Sequence, residues 1–165
     1  TMLVTMTAVT QATNDKQQLA PALETLDSLV KRAPQLGAPT VLVADCGFCS
    51  EANVLACQAH GIEPMLALGR QEHHPHWQER FSEPAPLPAQ TTAMQAMAHR
   101  LKTQSGRAIY ALRKQTVEPV FGIIKSVMGF RQFSLRGLRK VSGEWTLVCL
   151  AWNVKRMAVL RLKAG

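Results

Sequence analysis

The chain has 165 residues, 47% of them hydrophobic, and a formal net charge of +8, which suits one globular domain with a buried core. It has no run of about eighteen apolar residues and no basic region ahead of its N-terminal apolar run, so the sequence supports neither a membrane span nor a signal peptide. Three of its four cysteines lie in one short segment, which excludes a secreted disulfide framework and favours reduced thiols in the cytoplasm.

The N-terminal part alternates predicted strands and helices. Residues 2–10 are rich in Val and Thr and predict a strand that is already in progress at the first residue, so we expect upstream sequence to be missing. Leucines at helical spacing predict a helix over residues 17–32. The short apolar segments 41–45 and 62–68 predict buried strands, and residues 51–60 between them predict a second helix.

The rest of the chain is predicted to be helical after one irregular segment. Residues 69–89 contain four prolines and three histidines and predict an irregular surface excursion. A helix is predicted over 93–105, interrupted by Gly106, and another over 108–128, with a kink or restart at its proline. Residues 144–162 predict an amphipathic helix. The order of elements indicates an α/β arrangement in which helices flank a central sheet.

The positive charge is concentrated in the C-terminal part. From residue 100 to the end there are fourteen Lys and Arg against two acids, Glu118 and Glu144, whereas the first 99 residues carry five basic and nine acidic side chains. Such segregation indicates a polyanion contact on one face, although a solvated basic helix surface is the plainer alternative. A carboxylate among phosphate-binding cations is often a metal ligand.

Two acids are candidates for that role. Asp45 closes the apolar segment VLVAD, which would place its carboxylate at the edge of a sheet where ligands bind in open α/β folds. Glu118 shares one face of its predicted helix with Tyr110, Lys114 and Lys125, because the intervals are four, four and seven residues. Each has a structural alternative: Asp45 could cap a turn, and Glu118 could occupy the first turn of a helix.

A second group of cations follows this helix. They alternate with Phe130, Phe133 and Leu135, and we expect the aromatic residues to be buried beneath them as packing. Contact with the DNA backbone is the favoured interpretation, and a basic connecting loop is the alternative. The cations of this group are Arg131, Arg136, Arg139 and Lys140.

The cysteines allow a competing hypothesis. Cys46, Cys49, Cys57 and His60 are the right ligand types for a four-coordinate zinc site, but the spacing between the pairs is short and the last two fall in a predicted helix. Further histidines that could serve as ligands lie in the irregular segment: His73, His74 and His76.

Several segments together carry a family resemblance. ADCGFCSEANV, Tyr-x2-Arg, Glu-x6-Lys, VEPVFGIIK, GFRQFSLRGLRKVSGEW and LAWNVKRM closely resemble the C-terminal part of bacterial DDE-type insertion-sequence transposases. The resemblance runs from about Val4 to Leu160. It implies a ribonuclease H-like fold, here incomplete and lacking its first strand, and one partial catalytic domain over residues 1–165 with a basic helical part over 100–165.

The resemblance also implies roles for residues. Asp45 corresponds to the second acid of the catalytic triad and Glu118 to the third, so both are expected metal ligands for Mg²⁺ or Mn²⁺. Tyr110, Lys125 and a cation between them correspond to the Tyr-Arg-Glu-Lys signature of the family. The usual three residues between Arg and Glu are found after Lys114, whereas four follow Arg113, so either cation fits.

The resemblance implies an activity and partners as well. An intact protein would hydrolyse DNA at the transposon ends and transfer the strand into target DNA. It would act in the bacterial cytoplasm in association with the nucleoid, and it could act as a homodimer. The family's first Asp lies on an upstream strand, and Asp15 reads better as a helix cap, so we expect this chain to be a truncated, inactive piece. The alternatives are a non-catalytic DNA-binding remnant and a small zinc-binding module.

Overall fold

The computed structural model describes residues 1–69 and 82–164, without the side chains of residues 163 and 164. The chain forms two compact units, one of residues Thr13–Arg113 and one that combines Thr1–Ala12 with Lys114–Gly165. The fold is mixed α/β and mostly helical, with a small parallel sheet. No helix within the described ranges combines the length and the apolar character needed to cross a bilayer.

The unit of residues 13–113 begins with a short 3₁₀ turn and then alternates helices and strands. Its elements are α1 (Leu19–Arg32), β1 (Val41–Ala44), α2 (Glu51–Ala59), β2 (Glu63–Leu66) and α3 (Ala93–Lys102). The predicted helices over 17–32 and 51–60 and the predicted strands at VLVAD and IEPMLAL are therefore confirmed. Residues 82–92 contain no helix or strand, and the remainder of the predicted excursion, 70–81, lies outside the described residues.

The sheet of this unit is a single β-α-β unit. Strands β1 and β2 run parallel, with Val41 opposite Glu63 and Ala44 opposite Leu66, and α2 connects them. Ser50 caps α2 by accepting a hydrogen bond from the amide of Asn53 at 3.2 Å. The core joins α1, α2, β2 and α3, and its fully or nearly fully buried residues are Leu19, Leu23, Val54, Cys57, Ile62, Leu66 and Met97.

The second unit contains most of α4 (Gln104–Ser126) and α5 (Leu138–Ala164). Val120 and Ile124 of α4 and Trp152 of α5 form its buried core. An extended N-terminal segment lies along α5: the side chain of Asn153 accepts a hydrogen bond from the Val4 amide at 2.8 Å and donates one to the Val4 carbonyl at 2.7 Å. The indole of Trp152 donates to the Met2 carbonyl at 2.8 Å.

The predicted strand over residues 2–10 is wrong. This segment forms no strand, because its backbone pairs with side chains of α5 instead of with a neighbouring strand. The Val and Thr content does reflect an extended chain, but the amide of Asn153 takes the place of a partner strand. The central sheet that was expected is accordingly a two-stranded one in the described part of the chain.

Two helix boundaries also differ from the prediction. Helix α4 starts at Gln104 and runs through both Gly106 and Pro119, so Gly106 does not interrupt it and Pro119 does not restart it. The break comes at Thr103, whose hydroxyl oxygen accepts a hydrogen bond from the Gly106 amide at 3.0 Å, as an N-cap does. Helix α5 starts at Leu138, six residues before the predicted start, directly after Gly137 with a φ of 86°.

Gly106 is required by the close approach of α3 and α4. A Cβ atom at this position would lie 1.9 Å from the carbonyl oxygen of Arg100, which is a backbone atom that cannot swing aside. The sequence pattern read this glycine as a helix breaker. The structure instead shows that it lets two helices meet at a sharp corner.

We predict that Gly106→Ala destabilises the protein by about 1–3 kcal/mol, because the new methyl group forces the corner between α3 and α4 apart. Urea unfolding followed by circular dichroism measures the effect. Gly122→Ala, in the same helix, is the matched control. A Cβ atom there meets nothing within 4 Å, so we expect it to be stabilising by about 0.5–1 kcal/mol. Equal effects of the two substitutions would contradict the steric account.

Candidate nucleic-acid interface and acidic residues

Asp45 lies at the carboxyl end of β1, as predicted, and is exposed. Its Oδ1 accepts a hydrogen bond from the amide of Gly47 at 3.0 Å and caps the 3₁₀ turn Cys46–Phe48. The turn-capping alternative for Asp45 is therefore confirmed. A carboxylate has lone pairs for more than one partner, so this bond leaves Asp45 able to bind a cation as well.

A second acid, Asp15, lies close to the same turn. A Cβ atom at position 47 would be 2.9 Å from Oδ2 of Asp15 and 3.2 Å from Oδ1 of Asp45, so the two carboxylates flank Gly47. Asn14 caps the 3₁₀ helix Asp15–Gln18 that precedes α1, because its side chain accepts a hydrogen bond from the Lys16 amide at 2.8 Å. Asp15, which was expected to be a helix cap, instead occupies the first turn of this helix.

Asn53 holds these two turns together, and the sequence analysis missed it. Its side chain is buried, with 5% exposure, and its amide nitrogen donates to the carbonyl of Lys16 at 2.9 Å and to that of Phe48 at 2.7 Å. The first carbonyl follows Asp15 and the second ends the turn after Asp45. A polar residue at an inward position of the otherwise apolar face of α2 was the available signal.

We predict that Asn53→Ala destabilises the protein by about 1–3 kcal/mol, because it leaves the carbonyls of Lys16 and Phe48 without their donor. Thermal unfolding measures the loss. Gln58→Ala on the exposed face of the same helix is the control, with an expected change within about 0.5 kcal/mol. If Asn53→Ala matched the control, Asn53 would not be the residue that holds the turns.

The predicted face of α4 is exposed where it carries charge. Lys114, Glu118 and Lys125 are all exposed, at intervals of four and seven residues on one continuous helix. Phe121 lies between them and is 47% exposed. Glu118 lies fourteen residues beyond the start of α4 at Gln104, so the alternative that it occupies a helical first turn is wrong.

Tyr110 and Arg113 differ from Lys114 in their surroundings. The guanidinium of Arg113 lies 5.4 Å from the centre of the Tyr110 ring, a cation–π distance, and both side chains are half-buried. Lys114 is exposed. The two cations that both fit the signature spacing are thus in different environments: one is packed on an aromatic ring and the other faces solvent.

The basic turn, which we define as residues 131–140, follows α4 and includes the first three residues of α5. Every residue in it is exposed, including the four predicted DNA contacts Arg131, Arg136, Arg139 and Lys140. The expectation that aromatic residues are buried beneath these cations is only partly met. Phe130 is half-buried, whereas Phe133 and Leu135 are 43% and 48% exposed.

Glu144 has a structural role in this region. Its Oε1 accepts a hydrogen bond from the Ser134 amide at 2.8 Å and its Oε2 accepts one from the Leu135 amide at 3.0 Å. The bond from Ser134, assisted by that from Leu135, holds the pKa of Glu144 below its usual range. Glu144, one of the two acids in the basic part of the sequence, therefore binds the backbone of the basic turn.

The charge is divided unevenly between the two units. The unit that contains Glu118 and the basic turn has ten Lys and Arg and two acids, a formal charge of +8. The unit that contains Asp45 has nine basic and nine acidic residues. One unit therefore carries the entire formal charge of the chain, as a polyanion-binding surface requires.

The zinc hypothesis is not supported. In residues 1–69 and 82–164, no group of three or more His, Cys, Asp or Glu side chains could hold a metal ion. The Nδ1 of His60 lies 2.7 Å from Oδ2 of Asp27, and burial raises the pKa of the Cys57 thiol, which disfavours the thiolate that zinc binds. The extra candidates His73, His74 and His76 lie outside the described residues.

Part of the chain is similar to a known protein family. Residues 83–158 match the family model described as Transposase DDE domain. The matched segment contains Tyr110, Glu118 and Glu144 together with the whole basic turn, whereas Asp45 precedes it. No curated protein and no solved structure matches the chain.

Proposed function

We propose that this chain contacts the DNA backbone through its basic unit during DNA transposition, since residues 83–158 match the model of the transposase DDE domain family. The family itself implies a role in transposition and in DNA binding. The observation that carries the proposed surface is the confinement of the whole +8 formal charge to the unit with Glu118 and the basic turn. Phosphate contacts by exposed cations supply most of the affinity of such surfaces.

The proposed DNA-contacting cations lie in two groups. Lys114 and Lys125 belong to the exposed face of α4, and the others belong to the basic turn. We assign the signature cation to Lys114, because its exposure allows a phosphate contact. Arg113 would position the Tyr110 ring on which its guanidinium lies. The cations of the basic turn are Arg131, Arg136, Arg139 and Lys140.

We further propose Asp45 and Glu118 as the acids that would hold Mg²⁺ or Mn²⁺. Carboxylate oxygens are the ligands these ions prefer, and both side chains are exposed. Each of the two acids belongs to a different unit, and in the described part of the chain no group of three or more His, Cys, Asp or Glu side chains could hold a metal ion. When bound, such ions activate the attacking oxygen and stabilise the leaving oxygen of a phosphodiester.

A ribonuclease H-like arrangement is the fold we propose for the intact domain. Two features support it: the parallel β-α-β unit of β1, α2 and β2, and the position of Asp45 at the carboxyl end of β1. In open α/β sheets that edge is where ligands bind.

DNA binding without metal chemistry is the second candidate function. It is favoured by the distribution of charge, since the basic unit has ten cations while the unit with Asp45 is neutral. The two candidates share the basic surface and differ only in the role of the two carboxylates. Separate measurements of DNA affinity and of metal binding therefore distinguish them.

We predict that the double substitution Arg139→Gln/Lys140→Gln weakens binding to duplex DNA and lowers the slope of log K against log salt by about 2. The loss should be similar for unrelated DNA sequences, because phosphate contacts carry no sequence information. Fluorescence anisotropy at several salt concentrations measures both quantities.

Lys31→Gln/Arg32→Gln is the matched control for this experiment. It removes the same charge from exposed positions of α1 in the neutral unit. We expect it to leave the slope unchanged. Equal effects of the two double substitutions, or no binding by the wild-type chain, would overturn the proposed DNA surface.

We predict that Asp45→Asn and Glu118→Gln each weaken Mn²⁺ binding at least about tenfold, since each removes a charged ligand. Titration of free Mn²⁺ by electron paramagnetic resonance measures the affinity. Glu24→Gln, which removes an exposed acid from α1, is the control and should bind Mn²⁺ as the wild type does. Intact DNA affinity with no specific Mn²⁺ site would favour the second candidate function.

A further inference from the structure

We propose that Glu144 is a positioning residue for DNA binding: its carboxylate fixes the backbone of the basic turn and so presents the cations of that turn to phosphate. The proposal rests on the proposed DNA-binding function and deepens it. Both carboxylate oxygens of Glu144 accept hydrogen bonds from consecutive amides of the turn, those of Ser134 and Leu135, at 2.8 and 3.0 Å.

The geometry suits a charged acceptor. Consecutive backbone amides that point to one side form a small anion-binding concavity, and bonds to a carboxylate are stronger than those to a neutral acceptor. Glu144 lies on α5, so the acceptor belongs to a regular helix while the donors belong to an irregular turn. The helix thereby holds the two amides of the turn in fixed positions.

Aromatic contacts hold the turn on the side that precedes Ser134. The ring of Phe133 meets that of Trp145 edge to face with centroids 6.4 Å apart, and Phe130 lies 5.9 Å from Trp145. Trp145 follows Glu144 on α5. The chain is consequently held at residue 133 by packing and at 134 and 135 by hydrogen bonds, immediately before Arg136.

The electrostatic setting makes the proposal testable by the sign of an effect. A carboxylate near a DNA-binding surface repels phosphate, so its removal ordinarily raises DNA affinity. If Glu144 positions the turn, its removal has the opposite result, because the cations of the turn lose their fixed arrangement and each must be ordered on binding.

The experiment compares DNA affinity of the full chain and three variants in a chelating buffer, by anisotropy with a duplex. Glu144→Gln should bind DNA several-fold more weakly than the wild type, although the loss of the carboxylate makes the net charge of the chain more positive. Glu144→Asp keeps the charge but shortens the reach, and should also bind more weakly. Glu24→Gln removes an exposed acid of α1 without touching the turn, and should bind as tightly as the wild type or more tightly.

Amide hydrogen exchange provides the second readout. In Glu144→Gln and Glu144→Asp, the amides of Ser134 and Leu135 should lose protection at least tenfold, while those in the interior of α5 keep theirs. Retained protection of α5 shows that the unit is still folded. In Glu24→Gln, the amides of Ser134 and Leu135 should remain protected.

Two results would overturn the proposal. Tighter DNA binding by Glu144→Gln would show that the carboxylate only opposes phosphate. Unchanged protection of Ser134 and Leu135 in that variant would show that Glu144 does not hold the turn. Absence of DNA binding by the wild type would instead overturn the proposed function and with it the role in positioning, and the exchange data would distinguish that failure from the loss of the anchor.

Discussion

The corner between α3 and α4 is the constraint on which the interpretation of the basic part of the chain depends. Because the carbonyl of Arg100 lies where a side chain at position 106 would begin, only glycine allows the hydroxyl of Thr103 to cap α4 at its first turn. The 3.6-residue repeat of this helix determines which residues share a face with Glu118, and α4 stays one continuous helix through Pro119.

The sequence could predict the elements whose pattern is local. Leucine spacing in α1, the apolar segments of β1 and β2, and Asp45 at the end of β1 follow from periodicity and from turn chemistry. Patterns that depend on distant partners gave wrong predictions. The Val and Thr content of residues 2–10 indicated an extended chain but could not show that Asn153, far along the chain, replaces a partner strand.

The candidate site shows the same division. Charge counting identified both the basic unit and its two exceptional acids, because charge is visible in composition. Charge counting could not separate the roles of the two acids, because Glu144 binds two backbone amides that no sequence pattern indicates. The role of Asn53 was missed for a similar reason, because its side chain acts by donating hydrogen bonds to the distant carbonyls of Lys16 and Phe48. Buried polar partners are a product of tertiary structure.

The hydrogen bonds from Asn153 and Trp152 to the first residues of the chain have a consequence for synthesis. They join positions separated by about 150 residues, so they form only after the ribosome has released α5. The segment of residues 13–113 can collapse while translation continues. The charged unit, by contrast, needs both residues 1–12 and α5, so it forms later in synthesis than the unit of residues 13–113.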